Sequence, residues 1–426
     1  MNVVPRLRLA ARRTFFGWWI VASAIGVQIL VAGLVMQAFG TYVAVWQAEF
    51  GWSKTAFAAA FALQRGLQAL LSPAQGWLLQ RFGTRRVVRF GLLVLALGFV
   101  LLARFETQIG FYLAYLVIAL GAGLSGFLSL TTVIVQWFRR YRSSALALMQ
   151  VGISVGGLIV PFVAWLLTTQ GWRTTAWISA GAILALGLPL SSLIRSSPEA
   201  YGLLPDGDDD NCEETRTGSA AASAEPSFGT REAIRTRAFW LITAGHSIAV
   251  TLVASLTVHI VLHLTEGLGF TIQAAASIVA LMTGATMIGQ LAGGFLGDRF
   301  SKRAIAIVAM WAHAAALLAL AFAPSLGFVV AFAIVHGLAW GMRGPTMQAL
   351  RADYFGRRSF ATILGFSISF VMLGQMIGPL VIGAMADALG DYRLAFTGLA
   401  VLVVAGSGFF LALRPPVRKR RRSSTP

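Results

Sequence analysis

The sequence predicts an all-α membrane protein, with twelve transmembrane helices in two pseudo-symmetric six-helix bundles. Three observations predict it. The 426 residues are 57% hydrophobic and 12% charged, with a mean hydropathy of +0.75, a balance that excludes a soluble domain. Apolar runs of more than ~18 residues, enough for a helix to cross the hydrocarbon, recur along the chain. The two halves also repeat each other at a single offset, as duplicated carriers do.

In chain order, residues 1–15 form a basic N-terminus (Arg6, Arg8, Arg12, Arg13). The apolar run that follows is too long for a signal peptide's core, so it reads as an uncleaved first helix. Spans are expected over roughly 16–46, 55–79, 87–103, 109–137, 144–168 and 174–194, the N-terminal bundle of residues 16–194. Residues 195–237, rich in Asp, Glu, Ser and Ala, cannot bury enough apolar surface to fold alone and read as a linker. Further spans are expected over roughly 238–264, 271–296, 304–322, 326–350, 359–386 and 393–413, the C-terminal bundle of residues 238–413. Residues 414–426 form a tail containing Arg-Lys-Arg-Arg-Arg.

The net charge of +18 raises the question of nucleic acid, and the distribution answers it. Of the 34 Lys and Arg, 28 fall in the termini, the linker and alternate loops. That is the positive-inside pattern, with both termini in the cytoplasm of a bacterial cell and the protein in its inner (plasma) membrane. It accounts for the charge without nucleic acid, leaving the lipid bilayer as the partner of the basic segments. The single cysteine, Cys212, lies in the linker, so no disulfide framework exists.

An offset of 218 places Gly76 on Gly294, Arg81 on Arg299, Phe82 on Phe300, Arg85 on Arg303, Gly156 on Gly374 and Pro161 on Pro379. Gly76-Trp77-Leu78-Leu79-Gln80-Arg81-Phe82-Gly83-Thr84-Arg85-Arg86 and its echo from Gly294 to Arg303 resemble the G-x-L-x-D-R-x-G-x-R-R loop motif of the major facilitator superfamily. The resemblance covers nearly the whole chain. It implies the superfamily's fold, alternating access, and a conformational latch formed by Asp298, Arg299 and Arg303, with Arg81 and Arg85 in the first copy. Gln80 stands where the motif has Asp, so the charged latch is expected in the second copy. Gly365, Gly374, Gly378-Pro379 and Gly383 look like the superfamily's glycine-rich antiporter motif, although that motif belongs to the fifth helix; close packing of small residues explains them equally.

The opening Phe15-Phe16-Gly17-Trp18-Trp19, the segment Ala48-Glu49-Phe50-Gly51-Trp52-Ser53-Lys54-Thr55 and the linker's Pro198 to Gly207 resemble bacterial monocarboxylate-porter and oxalate/formate-antiporter members. These imply a small organic anion as substrate, moved by proton symport or anion exchange. The lysine such members carry in the eleventh helix and the arginine in the eighth are absent here; the cations stand instead at Arg65 and Arg343.

Arg65 is about ten residues into the second helix, ~15 Å deep, with Gln68 and Ser72 on its face. Arg343 lies beside Gly344-Pro345, expected to weaken the helix and turn the side chain into a cavity rather than to the headgroups. His336, Trp340, Arg343 and Met347 share a stripe at i, i+4, i+7, i+11. With no Asp or Glu at any membrane centre, the two arginines would attract an anion, and cation or sugar symport, which leans on a buried carboxylate, is disfavoured. Trp340, His336, His259, Gln28 and Gln37 complete the expected binding set, His259 and His336 doubling as proton carriers. His259 and His263 have metal-ligand spacing but no third ligand, so no metal or cofactor is expected. The chain is read as a monomeric carrier and not an enzyme. The alternatives are efflux of a drug-like or amphiphilic compound and, from another class, a non-transporting sensor on the same scaffold.

Overall fold

Helix boundaries follow from caps that the sequence writes plainly. The hydroxyls of Ser53, Thr107, Thr236, Thr271 and Ser301 each accept the backbone N–H three residues on, at 3.1–3.4 Å, satisfying donors that a helix start leaves free. In this computed structural model, which describes residues 15–207 and 228–416, these caps open helices that alternate in direction. The helices are α1 (Phe16–Phe50), α2 (Lys54–Phe82), α3 (Thr84–Leu102), α4 (Gln108–Trp137), α5 (142–170) and α6 (172–193). The second half adds α7 (Arg237–Gly267), α8 (Ile272–Arg299), α9 (Lys302–Ala321), α10 (Leu326–Phe355), α11 (Phe360–Leu389) and α12 (Arg393–Leu411). No strand occurs among the described residues.

By length and composition alone, nine described stretches are apolar enough to cross a membrane. One of them, Arg142–Leu193, is two spans run together. Gly171, at φ 77° and ψ 163°, reverses the chain between α5 and α6 without a loop, a conformation that favours glycine. The two further spans, α2 and α3, fall short for identifiable reasons: α2 carries Gln64, Arg65, Gln68 and Gln75, and α3 opens with Arg85, Arg86 and Arg89.

The bundles α1–α6 and α7–α12 each have an apolar core. They meet along two seams, α2 against α11 and α5 against α8. The 218-residue repeat makes these one contact built twice. A Cβ on Gly76 would lie 2.6 Å from the backbone of Ala361 and Thr362, and Gly294 approaches Ser143 and Ser144 in the same way. Ala361 and Thr362 are the repeat equivalents of Ser143 and Ser144.

Both seams close at the end that carries the basic loops, termed here the basic end. There the Asp298 carboxylate accepts the backbone N–H groups of Ser143 at 2.7 Å and Ser144 at 3.0 Å, capping α5 from the other half of the molecule. Asp353 takes Arg142 and Lys302, each at 2.8 Å. Arg357 donates to the Gln136 carbonyl at 2.7 Å and pairs with Glu199 at 3.0 Å. Asp206, in the linker, accepts the backbone N–H of Arg140 at 2.7 Å. Cys212 lies outside the described residues.

Candidate functional site

Above the closed seams lies a cavity of about 270 Å³ walled by both bundles. Its polar lining is dominated by glutamine: Gln28, Gln64, Gln68, Gln75 and Gln150 on the N-terminal side, Gln348 and Gln375 on the C-terminal side. Its cations are Arg65 and Arg351, its histidine is His246, and Trp340 adds an aromatic face. No Asp or Glu is among the lining residues.

Arg65 stands on α2 with its guanidinium 4.8 Å from the ring centroid of Phe61, one turn earlier, a cation–π contact that leaves its N–H groups to the cavity. The wall around it is fixed by hydrogen bonds. The Tyr115 hydroxyl donates to Gln64 Oε1 at 3.1 Å, and Gln75 Nε2 donates to the Gly123 carbonyl at 2.6 Å and to Ser129 at 3.2 Å. Gln28 also lines the cavity, next to the π-helical turn Ala32–Gln37 that interrupts α1. Such turns gather at functional sites. Gln37, exposed within that turn, is not on the cavity wall.

The tenth helix corrects the expectation for Arg343. Gly344-Pro345 does not break it: α10 is continuous from Leu326 to Phe355. The cavity receives the stripe Trp340, Gly344, Gln348 and Arg351. The expected stripe through His336, Arg343 and Met347 shares only Trp340 with it and packs inside the C-terminal bundle, all three side chains at 2% exposure or less. The two stripes are offset by part of a turn, and glycine at position 344 hides the one that faces the cavity. Arg351, counted from sequence among the inner loop cations, belongs to the helix. Its guanidinium is held by Gln348 Oε1 at 3.1 Å and Ser367 Oγ at 3.0 Å.

Arg343 reaches neither the cavity nor the headgroups. Its Nη2 donates to the Gly245 carbonyl at 3.3 Å and to His246 Nδ1 at 3.1 Å, tying α10 to α7. A guanidinium only donates, so Nδ1 accepts and the neutral ring carries its proton on Nε2. Arg343 thus sets the tautomer of the one histidine on the wall.

The histidines expected to carry protons lie elsewhere. His336 Nδ1 shares a proton with His313 Nδ1 at 3.1 Å, both buried between α9 and α10. His259 bridges the Pro379 carbonyl at 2.9 Å and the Tyr392 hydroxyl at 3.2 Å, while His263 faces Leu320 at 3.3 Å. These rings pin α7 to α11 and α9, and no metal-binding cluster occurs among the described residues. Gly374 and Gly378 pack against Ser247, Thr251 and Ser255 of α7.

Of the expected latch residues, Asp298 spans the two halves as described. Arg303 caps the end of α12 through the carbonyls of Leu411 and Leu413, and Arg299 lies over the ring of Phe295. In the first copy, Arg81 and Gln80 are exposed, and Arg85 Nε is buried without a hydrogen-bond partner.

The family model described as "Major Facilitator Superfamily" matches residues 15–285 and 247–426. The chain is 26% identical over 407 residues to monocarboxylate transporter 13 of Bos taurus, covering 93% of this chain and 89% of that protein. It is 25% identical over 409 residues to the 3-(3-hydroxy-phenyl)propionate transporter of Escherichia coli (strain K12), covering 93% and 92%. The fold is similar to that of the human organic anion transporter MFSD10 (TETRAN), with a TM-score of 0.71 at 16% identity over 92% of this chain and 99% of that one. Duplicated bundles, paired seams, twice-written loop motif and matching family model together make this chain a member of the Major Facilitator Superfamily, a multi-pass membrane transporter and not an enzyme.

Proposed function

We propose that this protein carries a small organic anion, a monocarboxylate, across the membrane by alternating access, with Arg65 holding the anionic group. One observation carries the reading: Arg65 stands on the wall of the central cavity, and no acidic side chain lines that cavity to neutralise it. A guanidinium at mid-membrane is costly unless it has a partner, and a carboxylate supplies one bidentately. The Nε2–H of His246 and the amides of Gln68, Gln348 and Gln375 can donate to the same group or to oxygens elsewhere on the solute. Monocarboxylate and arylpropionate carriers among the relatives support the substrate class. A volume of about 270 Å³ lies just below the usual range for ligand pockets, which fits a small acid.

The present state, shut at the basic end, is one phase of the cycle. Release of the Asp298 cap and the Asp353 pairs opens the other. The basic end faces the cytoplasm of a bacterial cell, with both termini on that side, and the unit of transport is the monomer. Proton symport and anion exchange both suit a cavity that takes a single anion. In a thermal-shift screen of purified protein, short carboxylates should raise the melting temperature, and neutral sugars and organic cations should not. Stabilisation by cations alone would overturn the reading.

A further inference from the structure

A second cavity, of about 200 Å³, lies between α2, α3 and α4. Its walls are almost wholly apolar: Leu67, Leu71, Leu78, Phe90, Leu120 and Leu124 contribute most of them. Gln68, Gln75 and Gly123 belong to its wall and to the wall of the central cavity alike.

Those three residues form the partition, and it is thin. Gly123 has no side chain, and a Cβ placed there would meet nothing within 4 Å. The Gln75 amide donates to the Gly123 carbonyl and to Ser129, tying α2 to α4 beside the glycine. Gln68 is the residue that also flanks Arg65, three positions earlier on the same helix face. A polar chamber holding a guanidinium therefore adjoins an apolar chamber across a glycine.

We propose that the side cavity is the tail subsite of the transported anion: its carboxylate rests on Arg65 and an alkyl or aryl tail passes Gly123 into the space between α2, α3 and α4. The proposal rests on the anion reading above and narrows it to carboxylic acids with an apolar tail, as against lactate-sized acids. One feature favours a substrate tail over a lipid chain as occupant: the subsite shares Gln68, Gln75 and Gly123 with the wall of the anion cavity. Gly123 becomes the specificity-determining position, because any side chain there would narrow the passage.

The test is a binding series on purified full-length protein with acetate, butyrate, hexanoate, octanoate and 3-phenylpropionate. It is measured for wild type, Gly123→Leu, Leu71→Trp and Arg65→Gln. Burial of a methylene is worth about a fourfold gain in affinity, so wild-type affinity should climb by about that factor per methylene until the subsite is full. Gly123→Leu should flatten the climb. Leu71→Trp fills the subsite from its lipid-facing rim, where Leu71 is 36% exposed, and should flatten it too; it covers the case in which the glycine variant fails to fold. A flat wild-type series that still depends on Arg65 overturns the tail subsite alone, and is the result expected if a lipid chain fills the space. A climb that both variants leave intact overturns it as well, placing the tail elsewhere. Binding that ignores Arg65→Gln at every chain length overturns the anion reading itself.

Discussion

Arginines within the spans find their partners in different ways, and the difference sorts function from structure. Arg142 pairs with a carboxylate, Asp353. Arg343 gives Nη2 to the α7 backbone and His246 while its Nε and Nη1 stay buried without a hydrogen-bond partner among the described residues, and Arg351 is held by Gln348 and Ser367. Arg65, among the described residues, lies over the ring of Phe61 and near Tyr115, on the cavity wall. If Arg343 acts through His246, removing both should cost no more than removing one. We expect His246→Gln to weaken anion binding several-fold and Arg343→Met to do the same. The double variant should match the worse single one in ligand titrations, because contacting residues are non-additive. Additive losses would separate the two side chains. The depth of Arg65 and its face with Gln68 were legible in the sequence from helix geometry alone. Arg343 was misread because a cation beside Gly-Pro looks identical whether it faces a cavity or a neighbouring helix. Only the tertiary position of His246 distinguishes the two.

At the scale of the element, α10 explains the remaining error. Its 30 residues span ~45 Å, longer than the hydrocarbon core, so its last turns run on into the closed seam. Arg351 therefore resembles a loop cation in sequence and is a wall residue in the fold. The loop motif has a local logic: a carboxylate at position 298 can cap a helix start and an amide at position 80 cannot do so with charge. A lost cap costs roughly 1 kcal/mol. Asp298→Ala should therefore shift the population about fivefold toward the state open at the basic end, whereas Gln80→Ala, which removes no described partner, should shift nothing. Spin-label distances across the α5–α8 seam measure both. A shift of equal size in the two variants would show that the halves are latched symmetrically.

For the whole molecule, the repeat is the strongest signal in the chain, and its consequence is spatial. Landmarks at a 218-residue offset are also the pairs that build the two seams, Gly76 on Ala361 and Thr362, Gly294 on Ser143 and Ser144. The helices α2 and α3 are marginal by composition, since polar residues on the wall lower the apolar content of α2 and three arginines open α3. Orientation remains a statement about charge. With the basic end in the cytoplasm, Cys212 should react with an impermeant maleimide only after the membrane is opened, and labelling of intact cells would invert the topology.

The account stands on a carboxylate meeting Arg65, and equilibrium titration of a bound carboxylate against wild type, Arg65→Lys and Arg65→Gln tests that contact directly. Charge-assisted hydrogen bonds are worth roughly 1.5–3 kcal/mol, so Arg65→Gln should bind about ten- to a hundredfold more weakly. Arg65→Lys keeps the charge but loses the fork and should fall between. Wild-type affinity in Arg65→Gln, with the protein folded, would contradict the account and remove the anion from the site.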